Sequence, residues 1–159
     1  MARRARRVSE IAFTEYTLAG KSVLLDTHVW LGYFAPDLYT ISENALEAVR
    51  DAQREGALLV SDVAAWELAL KGGRGSMRDA PPVRGWVEAV RSSPGTRLVP
   101  FTLELMLRTA ELPSGAPTDP FDRAIIVTAM AVAAPLVTAD RRIIDWAEKS
   151  RALRVISAR

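Results

Sequence analysis

The sequence predicts a single α/β domain, a three-layer sandwich of helices around a central, mostly parallel β-sheet. Short apolar runs alternate along the chain with longer amphipathic segments, which is typical of strands joined by helices. The 159 residues are 49% hydrophobic and 25% charged, a composition that suits one compact domain. We place this domain at residues 21–159, after a basic N-terminal extension at residues 1–20.

The first half of the sequence predicts three buried strands, which are recognised as short apolar runs. These runs lie at residues 22–25, 57–60 and 97–100. The segments between and after them predict a short helix at residues 28–31, helices at 41–55 and after the Ser61-Asp62 cap, a short helix around Trp86, and a helix at 102–110. The pattern at residues 41–55 is the clearest, because Ala45, Leu46 and Val49 share one apolar side and Gly56 ends it.

The C-terminal part is organised around DPFDRAIIVTAMAVAAPLVTAD, residues 119–140. Asp119 followed by Pro120 predicts a helix start, because Asp accepts the free amide hydrogens at an N-cap and Pro suits the first helical position. The nearly continuous apolar run at residues 124–134 predicts a helix that is buried on most sides, and Pro135 ends it. A strand at 136–137, a helix at 141–149 and a final strand at 154–156 follow.

The positive charge is concentrated at the N-terminus. The sequence pI is 9.3, yet residues 1–9 contain Arg3, Arg4, Arg6 and Arg7 and no acid. Since the whole chain carries +2, residues 10–159 sum to −2. The domain therefore lacks the overall basic charge of many nucleic-acid-binding domains, and we expect the extension to be solvated and disordered.

Other features of the composition exclude several classes of protein. Cysteine is absent, which excludes a disulfide scaffold, a thiolate metal site and a cysteine nucleophile. No uninterrupted apolar run reaches about 18 residues, so no membrane span is predicted. No apolar segment of roughly 7–15 residues follows the N-terminal arginines, as a secretory signal would require. We expect a cytoplasmic protein.

Three aspartates lie where this architecture places ligands. Asp26 and Asp140 follow predicted strands, and ligands bind at the carboxyl ends of strands in open parallel sheets. Asp122 shares a helical stripe with Ile125 and Ile126, so its carboxylate starts on a core-side face. Each aspartate also has a simpler explanation as a helix cap or, for Asp122, as part of a capping box.

A glutamate adds a fourth acid to this set. Val63, Trp66 and Leu70 are expected to form the buried stripe of the third helix, and Glu67 falls within that stripe. The alternative is a Glu67 side chain that reaches solvent and pairs with Lys71.

We expect the four acids to converge on a single cation. Clustered carboxylates repel one another and raise one another's pKa unless a cation compensates them. Hard oxygen ligands, with no Cys and a single His, favour Mg²⁺, with Mn²⁺ as a second possibility, over zinc. That His, His28, is interpreted as a packing or surface residue.

Four segments, LLDTHVW, SDVAAWELALK, DPFDRAIIVTA and PLVTAD, are similar in sequence and order to the PIN-domain nucleases, and most of all to their bacterial VapC toxin branch. The resemblance covers the chain from Lys21 to the C-terminus. It implies that the catalytic and metal-binding acids are Asp26, Glu67, Asp122 and Asp140. It further implies auxiliary roles for Asp119, an extra acid of DPFDR-type members, and for Thr27 and Thr138, hydroxyl positions beside the acids. The N-terminal extension departs from the family pattern, as does Pro117-Thr118, where relatives often carry a His.

The resemblance implies a Mg²⁺-dependent endoribonuclease toxin of a VapBC toxin–antitoxin system. Such an enzyme hydrolyses RNA phosphodiesters in line and leaves a 5′-phosphate. The branch typically acts on structured RNAs such as tRNA or ribosomal RNA, often forms homodimers, and is held inactive by a cognate VapB-type antitoxin.

Several side chains are candidates for RNA contacts. Arg123, Lys71 and Arg74 could bind phosphates, although surface lysines and arginines are commonly just solvated. Trp30, Trp66 and Trp86 could stack on bases. Of the three, Trp66 is expected in the core.

Rival functions make requirements that the sequence meets less well. A haloacid-dehalogenase-type phosphatase needs a second Asp two residues after the strand-exit Asp, where this chain has His28. A receiver domain needs paired acids near its first strand, and Asp26 is alone there. The remaining alternatives are a PIN-type nuclease that acts on DNA or outside a toxin–antitoxin pair, and a non-enzymatic α/β interaction module whose acids only cap helices.

Overall fold

The computed structural model describes residues 20–37, 39–72 and 82–159. Its elements, in chain order, are β1 (Val23–Leu25), α1 (Thr27–Phe34), α2 (Glu43–Arg54), β2 (Leu58–Ser61), α3 (Asp62–Gly72), α4 (Val83–Ser92), β3 (Thr96–Val99), α5 (Leu103–Arg108), a 3₁₀ turn (Thr109–Glu111), α6 (Pro120–Ala131), β4 (Leu136–Thr138), α7 (Arg141–Ser150) and β5 (Val155–Ser157). The expected N-terminal extension, apart from Gly20, and the candidate phosphate contact Arg74 lie outside the described residues.

The five strands form one sheet in the order β3-β2-β1-β4-β5, and every neighbouring pair is parallel. The chain builds outward from β1 to β2 and β3, then returns to place β4 on the other side of β1. In this register Leu25 of β1 lies opposite Val137 of β4. The order of the strands therefore reverses between β1 and β4, and such a switch point opens a crevice at the carboxyl ends of the strands.

Helices cover both faces of the sheet. Every residue of β1, β2 and β4 is buried, although successive side chains point to opposite faces. Helix α3 contacts α1, α4 and α6, whereas α2 packs against β1 and β2, and α7 against β5. This arrangement confirms the predicted three-layer α/β sandwich.

The element types are as predicted, and the differences lie at their ends. Helix α1 continues to Phe34, three residues beyond the predicted end. Helix α6 begins at Pro120 and ends at Ala131, short of the predicted 134. Ala133 then adopts a left-handed conformation with φ 53°, which turns the chain toward β4 before Pro135 is reached.

The structure contradicts base stacking by Trp30 and Trp86 and a core position for Trp66, whereas base stacking by Trp66 stays a prediction. Trp30 and Trp86 are buried and pack edge to face with ring centroids 6.1 Å apart, so neither can stack on a base. Trp66, expected in the core, is 52% exposed, and Leu70 is also exposed. Val63 is buried as predicted, but its buried apolar neighbours on this helix are Ala64 and Leu68, so the buried face is rotated from the predicted stripe.

No helix within the described parts of the chain combines the length and the apolar character that crossing a bilayer requires.

Candidate active site

Asp26 lies at the carboxyl end of β1, beside the switch point. It caps α1, and its carboxylate accepts a 2.7 Å hydrogen bond from the amide of Thr27. Its other oxygen accepts a hydrogen bond from the hydroxyl of Thr138 on β4 and lies 3.2 Å from Nε2 of His28. The side chain of Asp26 is therefore held by groups from α1 and from β4, and the residue is only 4% exposed.

Thr138 also fixes the position of the second strand-exit acid. Its hydroxyl, which donates to Asp26, accepts a 3.0 Å hydrogen bond from the amide of Asp140. Asp140 in turn caps α7 by accepting a 2.8 Å hydrogen bond from the amide of Arg142. One buried hydroxyl thus links the acids that follow β1 and β4.

Asp122 joins the same end of the sheet from the first turn of α6. Asp119 caps that helix and accepts hydrogen bonds from the amides of Phe121 (2.9 Å) and Asp122 (3.1 Å). The carboxylate of Asp122 is turned toward Arg142, whose Nη2 lies 3.1 Å from it and 2.7 Å from the carboxylate of Asp140. The guanidinium therefore bridges two of the predicted metal ligands.

The electrostatics of the two bridged acids differ. Burial raises the pKa of Asp122 to about 6, and the negative charges of Asp119, Asp140 and Asp26 add to this effect against the opposing charge of Arg142. The pKa of Asp140 is lowered, mainly because Arg142 hydrogen-bonds its carboxylate. Of these two acids, Asp122 is therefore the one whose charged form is disfavoured, by burial and by the neighbouring carboxylates.

Glu67 is buried on α3 and contacts the site through Thr27. Its Oε2 accepts a 2.5 Å hydrogen bond from the hydroxyl of Thr27, and its Oε1 forms an ion pair with Lys71. The predicted pairing with Lys71 is therefore present. Glu67 nevertheless does not reach out to solvent, because it is only 9% exposed.

All four predicted acids lie at one end of the sheet, and basic side chains compensate them there. Arg142 bridges Asp122 and Asp140, and Lys71 pairs with Glu67. Across residues 20–37, 39–72 and 82–159, no group of three or more His, Asp or Glu side chains is arranged to hold a metal ion. Metal binding by these acids thus stays a prediction. Their carboxylate oxygens are nevertheless the ligands that a hard divalent cation prefers, and two of the acids already share one guanidinium.

Arg123 has a structural role that the sequence did not indicate. Its guanidinium donates hydrogen bonds to the carbonyl oxygen of Thr109, at 2.9 Å and 2.5 Å, and to that of Pro117 at 3.0 Å. These bonds hold the loop before α6 against the helix. A solvated surface arginine is therefore the wrong description of Arg123.

Sequence reasoning missed two site residues, His28 and Arg142. His28, interpreted as a packing or surface residue, hydrogen-bonds Asp26, and this bond raises its pKa although burial acts in the opposite direction. Arg142 follows Asp140 by two residues at the start of a helix. A long basic side chain so close to a strand-exit acid was the available signal.

Comparisons with known proteins agree with this fold. The family model described as "PIN domain" matches residues 23–149. Ribonuclease VapC22 of Mycobacterium tuberculosis is 32% identical over 122 residues, which are 77% of this chain and 89% of that protein.

Solved VapBC structures share this fold. A structure of VapBC2 from Rickettsia felis bound to a DNA fragment from its promoter matches with a TM-score of 0.61 and 14% identity, over 85% of this chain and 97% of the other. DNA-bound VapBC from Salmonella typhimurium matches with a TM-score of 0.58 and 16% identity, over 87% and 98%. With the family model and the 32% identical relative, the chain belongs to the PIN-domain family and to its VapC branch.

Proposed function

We propose that this chain is a metal-dependent endoribonuclease that acts as the toxin of a VapBC-type toxin–antitoxin pair. The observation that carries the proposal is the arrangement of Asp26 and Asp140 at the two strands of the switch point, linked by Thr138 and joined by Asp122. Its relative in Mycobacterium tuberculosis is named a ribonuclease, which supports RNA as the substrate.

The acids suit a divalent cation by their chemistry and their surroundings. Carboxylate oxygens are the ligands that Mg²⁺ and Mn²⁺ prefer, and one guanidinium already bridges the carboxylates of Asp122 and Asp140. Asp26, Asp122 and Asp140 would hold the cation, and Glu67 would assist them or orient water. When bound, such a cation lowers the pKa of water, positions a phosphate and neutralises charge that develops on it.

Hydrogen bonds from two threonines hold the carboxylates of Asp26 and Glu67 in place. The hydroxyl of Thr138 fixes one oxygen of Asp26, and the amide of Thr27 fixes the other. The hydroxyl of Thr27 holds Glu67 in turn, so that neither buried carboxylate rotates freely. The phosphodiester would be cut in line, with departure of the 3′-hydroxyl and a 5′-phosphate left on the product.

The solved complexes with the same fold support a protein partner. They are VapBC structures from Rickettsia felis and Salmonella typhimurium, so a VapB-type antitoxin is the proposed inhibitor of this chain. A homodimer, structured RNAs of the tRNA or ribosomal class as substrates, and a cytoplasmic location complete the proposal.

Cleavage by the purified chain tests the enzymatic part. RNA and DNA of the same sequence are incubated with Mg²⁺ or Mn²⁺ and with EDTA, using wild type and the variants Asp26→Asn, Asp122→Asn and Asp140→Asn. We expect RNA fragments from wild type with metal, and none from the three variants or with EDTA. Asp145→Asn, at an exposed acid of α7, is the matched control and should cut normally.

Two results would contradict the enzymatic proposal. Wild-type rates in the three aspartate variants would remove the acids from the mechanism, and cleavage of DNA in preference to RNA would favour the DNA-nuclease alternative. The toxin role is tested separately by expressing the chain with and without a co-expressed antitoxin and scoring growth and RNA fragments. Unimpaired growth without antitoxin, together with intact RNA, would refute it.

A further inference from the structure

We propose that a cavity beside the acids binds an unpaired nucleobase of the RNA substrate, an inference that rests on the proposed ribonuclease function. The cavity has a volume of about 220 Å³ and reaches Asp140 at one side. Val29, Ile41 and Ala158 form apolar walls, and His28 and Tyr39 also line it.

The cavity is directly connected to the candidate active site. His28, on its lining, lies 3.2 Å from the carboxylate of Asp26, and Asp140 belongs to both places. A nucleotide whose phosphate lies at the acids therefore has this cavity within reach of its base.

The walls have the chemistry that a base requires. Tyr39 is 44% exposed, and its ring centroid lies 6.2 Å from that of His28 with the planes tilted by 46°. An exposed aromatic face can stack on any base, and such stacking strengthens binding about tenfold to hundredfold for each base. The buried side chains of Val29 and Ile41 provide an apolar floor for the edge of the ring.

The charge of residues 10–159 favours such a contact. Residues 10–159 sum to −2, so general attraction to phosphates is weak over the part that carries the acids. Stacking adds affinity for RNA that does not depend on phosphate neutralisation, and single-stranded nucleic acids offer their base faces for it.

A glycine keeps Tyr39 at the cavity. Gly32 lies on α1, the helix that also carries His28. A Cβ added at Gly32 would lie 2.9 Å from the carbonyl oxygen of Tyr39 and 3.0 Å from its Cβ. The backbone of Tyr39 thus packs against α1 so closely that a larger residue at position 32 would displace it.

Titration with nucleoside 5′-monophosphates tests the proposal, with ribose 5-phosphate as the base-free control. Binding to the full chain in Mg²⁺ is followed by NMR. We expect the nucleotides to shift resonances of His28, Ile41 and Ala158 and to bind at least about tenfold more tightly than ribose 5-phosphate. Tyr39→Ala should abolish this difference, Gly32→Ala should reduce it, and Tyr39→Phe, which retains the ring, should preserve it.

The outcomes separate this proposal from the proposed function. Equal affinity for nucleotides and ribose 5-phosphate would overturn the base site, and so would unchanged nucleotide affinity in Tyr39→Ala. The first comparison uses wild type alone, so it holds even if a variant fails to fold. Metal-dependent RNA cleavage without base binding would refute the cavity proposal only, whereas base binding without cleavage would refute only the ribonuclease.

Discussion

The guanidinium of Arg142 donates a 3.1 Å hydrogen bond to the carboxylate of Asp122, one helix away from its own. The same nitrogen lies 2.7 Å from the carboxylate of Asp140, so one basic side chain hydrogen-bonds two predicted metal ligands at once. A divalent cation entering the site must compete with this guanidinium.

Removing the competing side chain should strengthen metal binding. We expect Arg142→Gln to bind Mn²⁺ several-fold more tightly than wild type. The reason is that Asp122 and Asp140 lose the guanidinium that now competes with the metal ion. Calorimetric titration with Mn²⁺ measures the change. Arg141→Gln removes the same charge from the adjacent, exposed position and should leave the affinity nearly unchanged. Equal affinities in both variants would show that Arg142 does not compete.

Neutralising Asp122 should stabilise the metal-free protein. The pKa of Asp122 is raised from 3.8 to about 6, so the folded state binds its proton more tightly than the unfolded state does. This group therefore lowers the free energy of unfolding as pH rises from about 4 to about 6, and its effect is constant above that. After allowance for solvent screening, Asp122→Asn should regain about 1 kcal/mol at pH 7.5, or roughly 2–4 °C in melting temperature.

Thermal unfolding in EDTA checks this expectation. The gain should shrink as pH falls and vanish by about pH 3, below the unfolded-state pKa of 3.8, where the carboxyl is protonated in both states and resembles the amide. Asp145→Asn, at an exposed position of α7, should show no comparable gain at pH 7.5. A melting temperature of Asp122→Asn at or below that of wild type at pH 7.5 would mean that its contact with Arg142 outweighs the crowding.

The hydroxyl of Thr138 should matter for activity more than for folding. Thr138→Val keeps the shape of the side chain but removes the donor to Asp26 and the acceptor for the amide of Asp140. Groups that orient metal ligands typically contribute about tenfold to hundredfold to affinity or activity, and we expect a loss in that range. The rate of RNA cleavage and the Mn²⁺ affinity are the measurements.

A second buried threonine provides the control for this change. Thr128 lies in the middle of α6, where its hydroxyl donates to the carbonyl oxygen of Ala124 at 2.8 Å. Thr128→Val should retain wild-type cleavage. Equal losses in the two variants would attribute the effect of Thr138→Val to the burial of a threonine rather than to its place beside the acids.

The sequence predicted the strands and the strand-exit acids because both follow from local patterns. A short apolar run followed by Asp places a carboxylate at the end of a buried strand whatever its neighbours are, as Asp26 and Asp140 show. Glu67 was also assigned correctly to a buried face, although Trp66 and Leu70 were not. The helix repeat gives relative positions around the axis, and only packing against α1, α4 and α6 decides which side faces inward.

The positions of Arg142 and Tyr39 were missed because they depend on contacts with other segments of the chain. Arg142 has a long side chain whose direction is set by the carboxylate of Asp122, which belongs to another helix. Tyr39 lies outside regular structure, and its position beside His28 follows from the close approach to Gly32. Neither contact leaves a periodic signal in the sequence.

The strand order also determines when the proposed enzyme can first become active during its synthesis. Thr138 meets Asp26 across 112 residues, so a ribosome that has completed β1 still has to make most of the domain before the site can assemble. At about 5–20 residues per second this interval lasts roughly 6–20 s. Until β4 emerges, the growing polypeptide would have only part of the proposed set of catalytic acids, so the proposed ribonuclease would stay inactive while most of it is still being made.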